Sequence, residues 1–142
     1  MKTTASQFAI DANVIVRYLV RDDDGMYAKA AAVFEEMDKG RLLLFCDPVI
    51  LGEVVWVLSS CYKVSRKRMA EDLESLLAAD GLIIPNKSRY MQALRLYAGP
   101  VPHFGDACLC AAAIEACDGK MLSLDRKLSA VKGISRKESV SD

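Results

Sequence analysis

The sequence predicts an α/β fold in which helices cover a parallel β-sheet. Short apolar runs alternate along the chain with longer stretches of helical periodicity, and this alternation is typical of β-α units with parallel strands. The length of 142 residues is near the common size of one domain and is sufficient for one hydrophobic core. We therefore expect a single domain over residues 1–142, with a polar, frayed tail at about 135–142.

Each predicted strand is a compact apolar run bounded by polar or turn residues. The first run is followed by Asp11. A turn formed by Asp118 and Gly119 precedes a late run, which is followed by Asp125. In chain order, the predicted strands are 7–10, 42–45, 82–84, 121–124 and a weak last strand at 131–134.

Capping residues mark several helix starts. The acidic triplet 22–24 suits the N-cap and first turn of a helix. Asp47 followed by Pro48 is a good helix start, because proline is tolerated at the first helical position. In chain order, the predicted helices are 14–20, one that begins after the triplet and runs through 28–37, 48–61, 66–79, 88–97 and 106–116.

The composition limits the classes of partner. Lys and Arg total 19, as do Asp and Glu, so the net charge gives no general attraction to nucleic acid. Two basic clusters, at 63–68 and 132–137, are as compatible with a solvated surface as with phosphate contacts. Hydrophobic residues make up 52% of the chain, a high share that predicts an oligomer or a tight protein partner.

The cysteines and the N-terminus indicate a cytoplasmic protein without membrane association. The five cysteines are interpreted as reduced core thiols, and Cys108 and Cys110 lack the spacing of a zinc site. No apolar run approaches the roughly 18 residues of a membrane span, and the N-terminus has no signal-peptide core.

Four carboxylates stand out by position. Asp11 and Asp125 close predicted strands, and the carboxyl ends of parallel strands are where ligands bind. Glu53 is the only charged residue in the stretch 49–58, where an ionised side chain on an apolar face needs a partner, and Asp106 begins a largely apolar helix. We expect the four acids to meet and share cations. Because the ligands are all oxygens, Mg²⁺ or Mn²⁺ is favoured over zinc.

Each of these positions also has a structural alternative. Glu53 could pair with Arg17 or reach solvent, and Asp125 fits the N-cap of a short helix. A first-turn acid such as Asp106 is favoured by the helix dipole whatever its function. His103, the single histidine, is interpreted as an incidental loop residue without an acid-base role.

The order and spacing of the acids resemble the PIN-domain family across nearly the whole chain. Asp11 lies in IDANVIVRYL, which resembles the first acidic motif, and Glu53 lies in PVILGEVVWVL, which resembles the second. Asp106 lies in HFGDACLCAAA and Asp125 in LSLDRKL, which resemble the third and fourth. With the segment RYLVRDD after the first acid, the pattern is similar to that of bacterial VapC-type toxins.

Residues beside the acids fit the resemblance with one departure. Asn13 is a common choice in the first motif, and Ser123 completes a Ser/Thr-x-Asp pattern. Ala12 stands where the family often has Thr or Ser, so a hydroxyl that could orient Asp11 is missing. We expect Asn13 and Ser123 to support the site by hydrogen bonding, and Arg17 to contact phosphate or pair with an acid.

The resemblance implies a Rossmann-like α/β/α sandwich with a central parallel sheet. It further implies an Mg²⁺- or Mn²⁺-dependent endoribonuclease that hydrolyses RNA phosphodiester bonds, with metal ligands and catalytic residues at Asp11, Glu53, Asp106 and Asp125. A homodimer or higher homo-oligomer, and neutralisation by a VapB-like antitoxin in a type II toxin–antitoxin system, are also implied.

Other functions fit less well. A PIN scaffold that only binds RNA or a protein should have lost one or more of the acids, whereas this chain keeps all four. A HAD-like phosphatase would need a second aspartate where the chain has Asn13. A response-regulator receiver would need an acidic pair and a lysine at strand ends where the chain has neither.

Overall fold

The computed structural model describes residues 5–141, so residues 1–4 and Asp142, the last residue of the predicted tail, lie outside the described part. The chain divides into two compact units, with the boundary between Lys87 and Ser88. The expectation of one domain over 1–142 stays a prediction.

The first unit contains a three-stranded parallel sheet. Its order is β1-β2-β3, and the register places Ser6 opposite Leu42 and Leu44 opposite Leu82. The strands are β1 (Ser6–Ala9), β2 (Leu42–Phe45) and β3 (Leu82–Ile83). The predicted α/β class with parallel strands is confirmed, and β1 and β3 differ from the predicted bounds by a single residue.

Four helices belong to the first unit, and their starts follow local capping chemistry. The carboxylate of Asp23 accepts a hydrogen bond from Met26 N, and that of Asp47 accepts one from Val49 N, both at 2.9 Å. The predicted helix-start roles are thus confirmed for Asp23, the N-cap, for Asp24 in the first turn and for Asp47, whereas Asp22 lies outside the helix and pairs with Arg17. The helices are α1 (Ala12–Leu19), α2 (Asp24–Asp38), α3 (Pro48–Ser60) and α4 (Arg66–Ala78).

The core of the first unit is built from apolar side chains of its helices and strands. Helix α1 packs on α2 and α3, α2 packs on β2, and α4 packs on β3. Fully buried side chains from these elements are Ile15, Phe34, Leu44, Leu51, Val54, Leu58, Met69, Leu73, Leu77 and Leu82. Strand β1 ends at Ala9 and α1 begins at Ala12, so Ile10 and Asp11 form the connection at the carboxyl end of the strand.

The second unit contains two α-helices and a small sheet. Strands β4 and β5 are parallel, with Lys120 opposite Ser135. Asp118 and Gly119 have φ values of 52° and 78°, so the predicted turn before β4 is confirmed. The elements are α5 (Lys87–Ala98), α6 (Phe104–Ala116), β4 (Lys120–Leu122), a 3-10 helix (Arg126–Ala130) and β5 (Ser135–Lys137).

The predictions for the C-terminal segment are wrong. The last strand is not at 131–134, and residues 135–137 are not a frayed tail, because Ser135–Lys137 forms β5. The guanidinium of Arg136 donates to Ser129 Oγ and to the carbonyl oxygen of Ser123, both at 2.7 Å. A polar segment is thus ordered by hydrogen bonds to residues earlier in the unit, which an apolar pattern cannot reveal.

Two further expectations concern the cysteines and the membrane. All five cysteines are free; Cys46 and Cys110 are buried, but Cys61 and Cys117 are exposed, so the expectation of core thiols is wrong for these two. Among residues 5–141, no helix is long and apolar enough to cross a membrane.

Candidate active site

Asp11 occupies the junction between β1 and α1. Strand pairing continues up to the residue before it, because Ile10 N donates to the carbonyl oxygen of Phe45 at 2.9 Å. Asp11 is the N-cap of α1 by position, with φ −84° and ψ 149°, yet its side chain makes no capping hydrogen bond. The carboxylate is exposed and therefore available to a ligand. Ala12, which replaces the frequent Thr or Ser, is buried.

Arg17 and Asn13 lie on the helix that follows Asp11. Nη1 of Arg17 is 3.2 Å from Oδ1 of Asp22, so this guanidinium pairs with an acid of the α1–α2 connection. The alternative pairing of Arg17 with Glu53 is not the one that forms. Asp11, Asn13 and Arg17 line the same cleft, which has a volume of about 240 Å³.

Glu53 lies on the exposed side of α3, and the expectation that it lies on a buried face is wrong. Its neighbours at helical spacing, Val49 and Trp56, are 77% and 64% exposed. The buried side of α3 consists of Leu51, Val54, Val55 and Leu58. An exposed carboxylate needs no partner to be stable, so the argument from burial no longer applies. Helix α3 is apolar on both sides, so helical periodicity alone does not identify the buried side, and the side predicted for Glu53 is the exposed one.

Asp106 lies in the first turn of α6 and is half-buried. Its charge adds to burial, the larger cause, in raising the pKa of the Cys110 thiol one turn later. His103 is the N-cap of α6, but its exposed side chain makes no capping hydrogen bond.

Asp125 follows β4 and caps the 3-10 helix. Its Oδ1 accepts from Lys127 N at 3.0 Å, and its own backbone N donates to Ser123 Oγ at 3.1 Å. The structural alternative for Asp125 is thus realised, and the capping hydrogen bond uses one of its two carboxylate oxygens. Ser123 supports Asp125 as expected from the sequence, and its own carbonyl oxygen accepts from Arg136.

A comparison with known families decides the classification. The PIN domain family matches residues 8–134, a span that includes all four predicted acids. The chain belongs to the PIN-domain family. This fold is generally that of a nuclease, PIN nucleases typically depend on divalent metal ions, and PIN domains bind RNA. No curated protein matches the chain.

The donor chemistry of this PIN domain fits Mg²⁺ or Mn²⁺. Asp11 and Glu53 belong to the first unit, and Asp106 and Asp125 to the second. All four offer carboxylate oxygens, the ligands these hard cations prefer. Among residues 5–141, no group of three or more His, Cys, Asp or Glu side chains is arranged to hold a metal ion.

Two residues of this PIN domain make contacts that the acidic motifs do not predict. Arg136 belongs to the basic cluster at 132–137, yet its guanidinium donates hydrogen bonds to Ser123 and Ser129. Lys29 lies outside the motifs, yet it lines the cleft beside Asp11 and Arg17. A signal for Lys29 was present in the sequence: it lies at helical spacing between Met26 and Val33, as the one cation of an otherwise apolar face.

Proposed function

We propose that this PIN domain is an endoribonuclease in which Asp11, Glu53, Asp106 and Asp125 hold divalent Mg²⁺ or Mn²⁺ ions. The proposal rests on the family match over residues 8–134, a span that contains all four acids, and on the resemblance of the segments around them to the family's acidic motifs. Asp11 adds support, because its exposed carboxylate follows a sheet strand and is not used as a cap.

In the proposed reaction, the metal ion and the side chains would have different roles. When bound, such an ion supplies a lowered pKa for a water ligand and offsets the charge that develops on the phosphate. Asp11 and Glu53 offer exposed carboxylates, and Asp125 offers the oxygen that its cap leaves unused. Ser123 orients Asp125 through the hydrogen bond to its backbone. Asn13 lies in the cleft beside Asp11, where its amide can donate to an RNA phosphate.

The direct experiment is cleavage of RNA with Mg²⁺ or Mn²⁺ by wild type and by Asp11→Asn and Asp106→Asn. We expect each substitution to lower the cleavage rate by about a hundredfold or more, because a neutral amide replaces a metal-binding carboxylate. Asp80→Asn is the matched control, since Asp80 is exposed and outside the motifs. Cleavage that is undiminished in the two site variants would contradict the assignment.

A PIN scaffold that only binds RNA or a protein remains the competing function. Isothermal titration with Mg²⁺ or Mn²⁺ separates the two. The nuclease proposal requires heat of binding that Asp11→Asn removes, whereas a binding-only scaffold shows no carboxylate-dependent uptake.

We further propose that the protein is the toxin of a type II pair, acts in the cytoplasm where its RNA substrates are, and forms a homodimer bound by a VapB-like antitoxin. The motif order and the segment RYLVRDD support this role. The exposed Val49 and Trp56 on α3 are the kind of apolar surface that protein partners cover.

The toxin role has its own test. Induced expression in a bacterial host should arrest growth, Asp11→Asn should relieve the arrest, and a small DNA-binding protein encoded beside the gene should also relieve it. A nuclease that is active in vitro but does not slow growth would remove the toxin role and leave the enzyme.

A further inference from the structure

The cleft beside Asp11 has an apolar floor and a polar rim. It lies between α1, which contributes Asn13, Val14 and Arg17, and α2, which contributes residues 26, 29, 30 and 33. These four positions of α2 follow one another at helical spacing, so they form one face of that helix. Methionine, alanine and valine occupy three of them, and the fourth is Lys29.

Three charged side chains line this cleft: Asp11, Arg17 and Lys29. Nη1 of Arg17 is paired with Asp22, whose other oxygen accepts from Tyr62 at 3.1 Å, while Nε of Arg17 is buried without a hydrogen-bond partner among the described residues. Lys29 is exposed, and among the described residues it has no carboxylate within ion-pair distance. At the other end of α2, Lys39 shows the usual surface arrangement, with Nζ 3.0 Å from Oε1 of Glu35.

A nucleotide matches this combination of surfaces. Its phosphate is an anion that lysine binds as a compact point charge, and its sugar and base offer apolar faces. A small carboxylate ion would pair with Lys29 but would offer no apolar surface to contact the apolar residues of the cleft.

We propose that the cleft binds the RNA nucleotide next to the cleaved bond. Lys29 contacts the phosphate of that nucleotide, the amide of Asn13 donates a hydrogen bond to it, and Val14 and Val33 pack against the sugar and base. The inference deepens the proposed function, because it assumes that Asp11 takes part in RNA cleavage. Lys29 is then a substrate-binding residue.

The test compares Lys29→Gln, Lys29→Arg and the control Lys39→Gln. The control removes an equal charge at the C-cap residue of the same helix, ten residues or about 15 Å along its axis from Lys29. The probe is a short fluorescein-labelled single-stranded RNA of mixed sequence. Its Kd is measured by anisotropy in EDTA at several salt concentrations, and its cleavage is measured with Mn²⁺.

For Lys29→Gln we expect Kd and KM to rise about fivefold, while kcat stays within about twofold. The slope of log Kd against log salt should fall by about 0.7, the value for one lost phosphate contact on a single strand. Lys29→Arg should restore most of the binding, and Lys39→Gln should match wild type. An unchanged salt slope in folded Lys29→Gln, checked by circular dichroism, would overturn the inference.

Two other outcomes separate the inference from the function on which it rests. If wild type binds the probe but no metal supports cleavage, the proposed nuclease function fails while the Lys29 contact can still be measured. If Lys29→Gln binds RNA like wild type but loses a co-purified antitoxin, the cleft serves an acidic protein segment and the RNA assignment is wrong.

Discussion

The phenol of Tyr62 donates a hydrogen bond to the carboxylate of Asp22, which lies 40 positions earlier in the chain, at 3.1 Å. The other oxygen of Asp22 receives Arg17 at 3.2 Å. Asp22 therefore connects the chain just after α3 to α1, and it holds the guanidinium at one end of the cleft that Asp11 lines.

The hydrogen bond to Asp22 raises the pKa of Tyr62, with smaller additions from burial and from the Asp22 charge. Because the folded-state pKa is raised, the stabilising effect is complete below the unfolded pKa of about 10 and is lost as the pH rises through the folded value. The phenolate absorbance of wild type is measured against pH, and the curve of Tyr62→Phe is subtracted from it. The difference should show that Tyr62 ionises at a higher pH than an ordinary tyrosine. Asp22→Asn should move its pKa back down. A normal titration of Tyr62 in wild type would contradict the prediction.

Asp11 and Asp47 are both helix N-caps by position, but only Asp47 accepts a capping hydrogen bond. Asp47→Ala should therefore lower the free energy of unfolding by about 1 kcal/mol, whereas Asp11→Ala should change it by less than about 0.5 kcal/mol. Activity should show the reverse order, with RNA cleavage lost only in Asp11→Ala. Urea denaturation and a cleavage assay on the same preparations measure both effects. Equal destabilisation by the two substitutions would show that Asp11 has a structural role.

Arg136 should matter for stability more than a surface arginine does. Its side chain is 12% exposed and donates to Ser129, Ser123 and Glu138. Arg136→Ala should cost about 2 kcal/mol of unfolding free energy, because it leaves the carbonyl oxygen of Ser123 without this donor. Arg136→Lys should be intermediate, since an ammonium cannot reproduce the planar fork.

Lys132→Ala is the control for Arg136, because Lys132 is an exposed cation in the same basic cluster. It should stay within about 0.5 kcal/mol of wild type in urea denaturation. If the Arg136 and Lys132 variants were equally stable, the hydrogen bonds of Arg136 would contribute nothing measurable.

The five cysteines should separate into two reactivity classes. Burial raises the pKa of Cys46, with a further contribution from Asp47, and burial alone raises that of Cys108, each to about 11. At pH 8 a thiol with such a pKa is thiolate in about one molecule in a thousand. Ellman's reagent should therefore modify Cys61 and Cys117, which are exposed, well before the other three.

The double variant Cys61→Ser, Cys117→Ser tests that assignment. It should lose the fast phase of the Ellman reaction and keep three thiols that react only in urea. A fast phase that persists in the double variant would place a third reactive thiol at the surface.

Much of the local structure was predictable because its causes are local. The bounds of β2 matched the prediction, since the apolar run begins after Arg41 and the helix-start signal of Asp47 and Pro48 follows one residue beyond Cys46. The caps at Asp23 and Asp47 matched too, because an N-cap bonds to a backbone N–H two or three residues away. The positions of Asp11 after β1 and Asp106 in the first turn of α6 followed from the same kind of signal.

The errors have a common origin in contacts between distant residues. The sequence predicted the wrong side of α3 for Glu53, because both sides of that helix are apolar. It left open the partner of Arg17, and Asp22 is the acid that takes it. It also misplaced β5, whose polar residues carry no strand signal without β4 beside them.

The sequence by itself determined the α/β class, the helix caps and the four acidic motifs that the PIN match spans. Such features depend on neighbours within a few positions or on motifs that can be read along the chain. Only the tertiary structure decided that α3 turns Glu53 outward, that Asp22 holds Arg17 and Tyr62, and that Lys29 lies in the cleft beside Asp11. Each of these arrangements depends on which helix faces pack together, and that packing is determined by the shapes of all the side chains in the core.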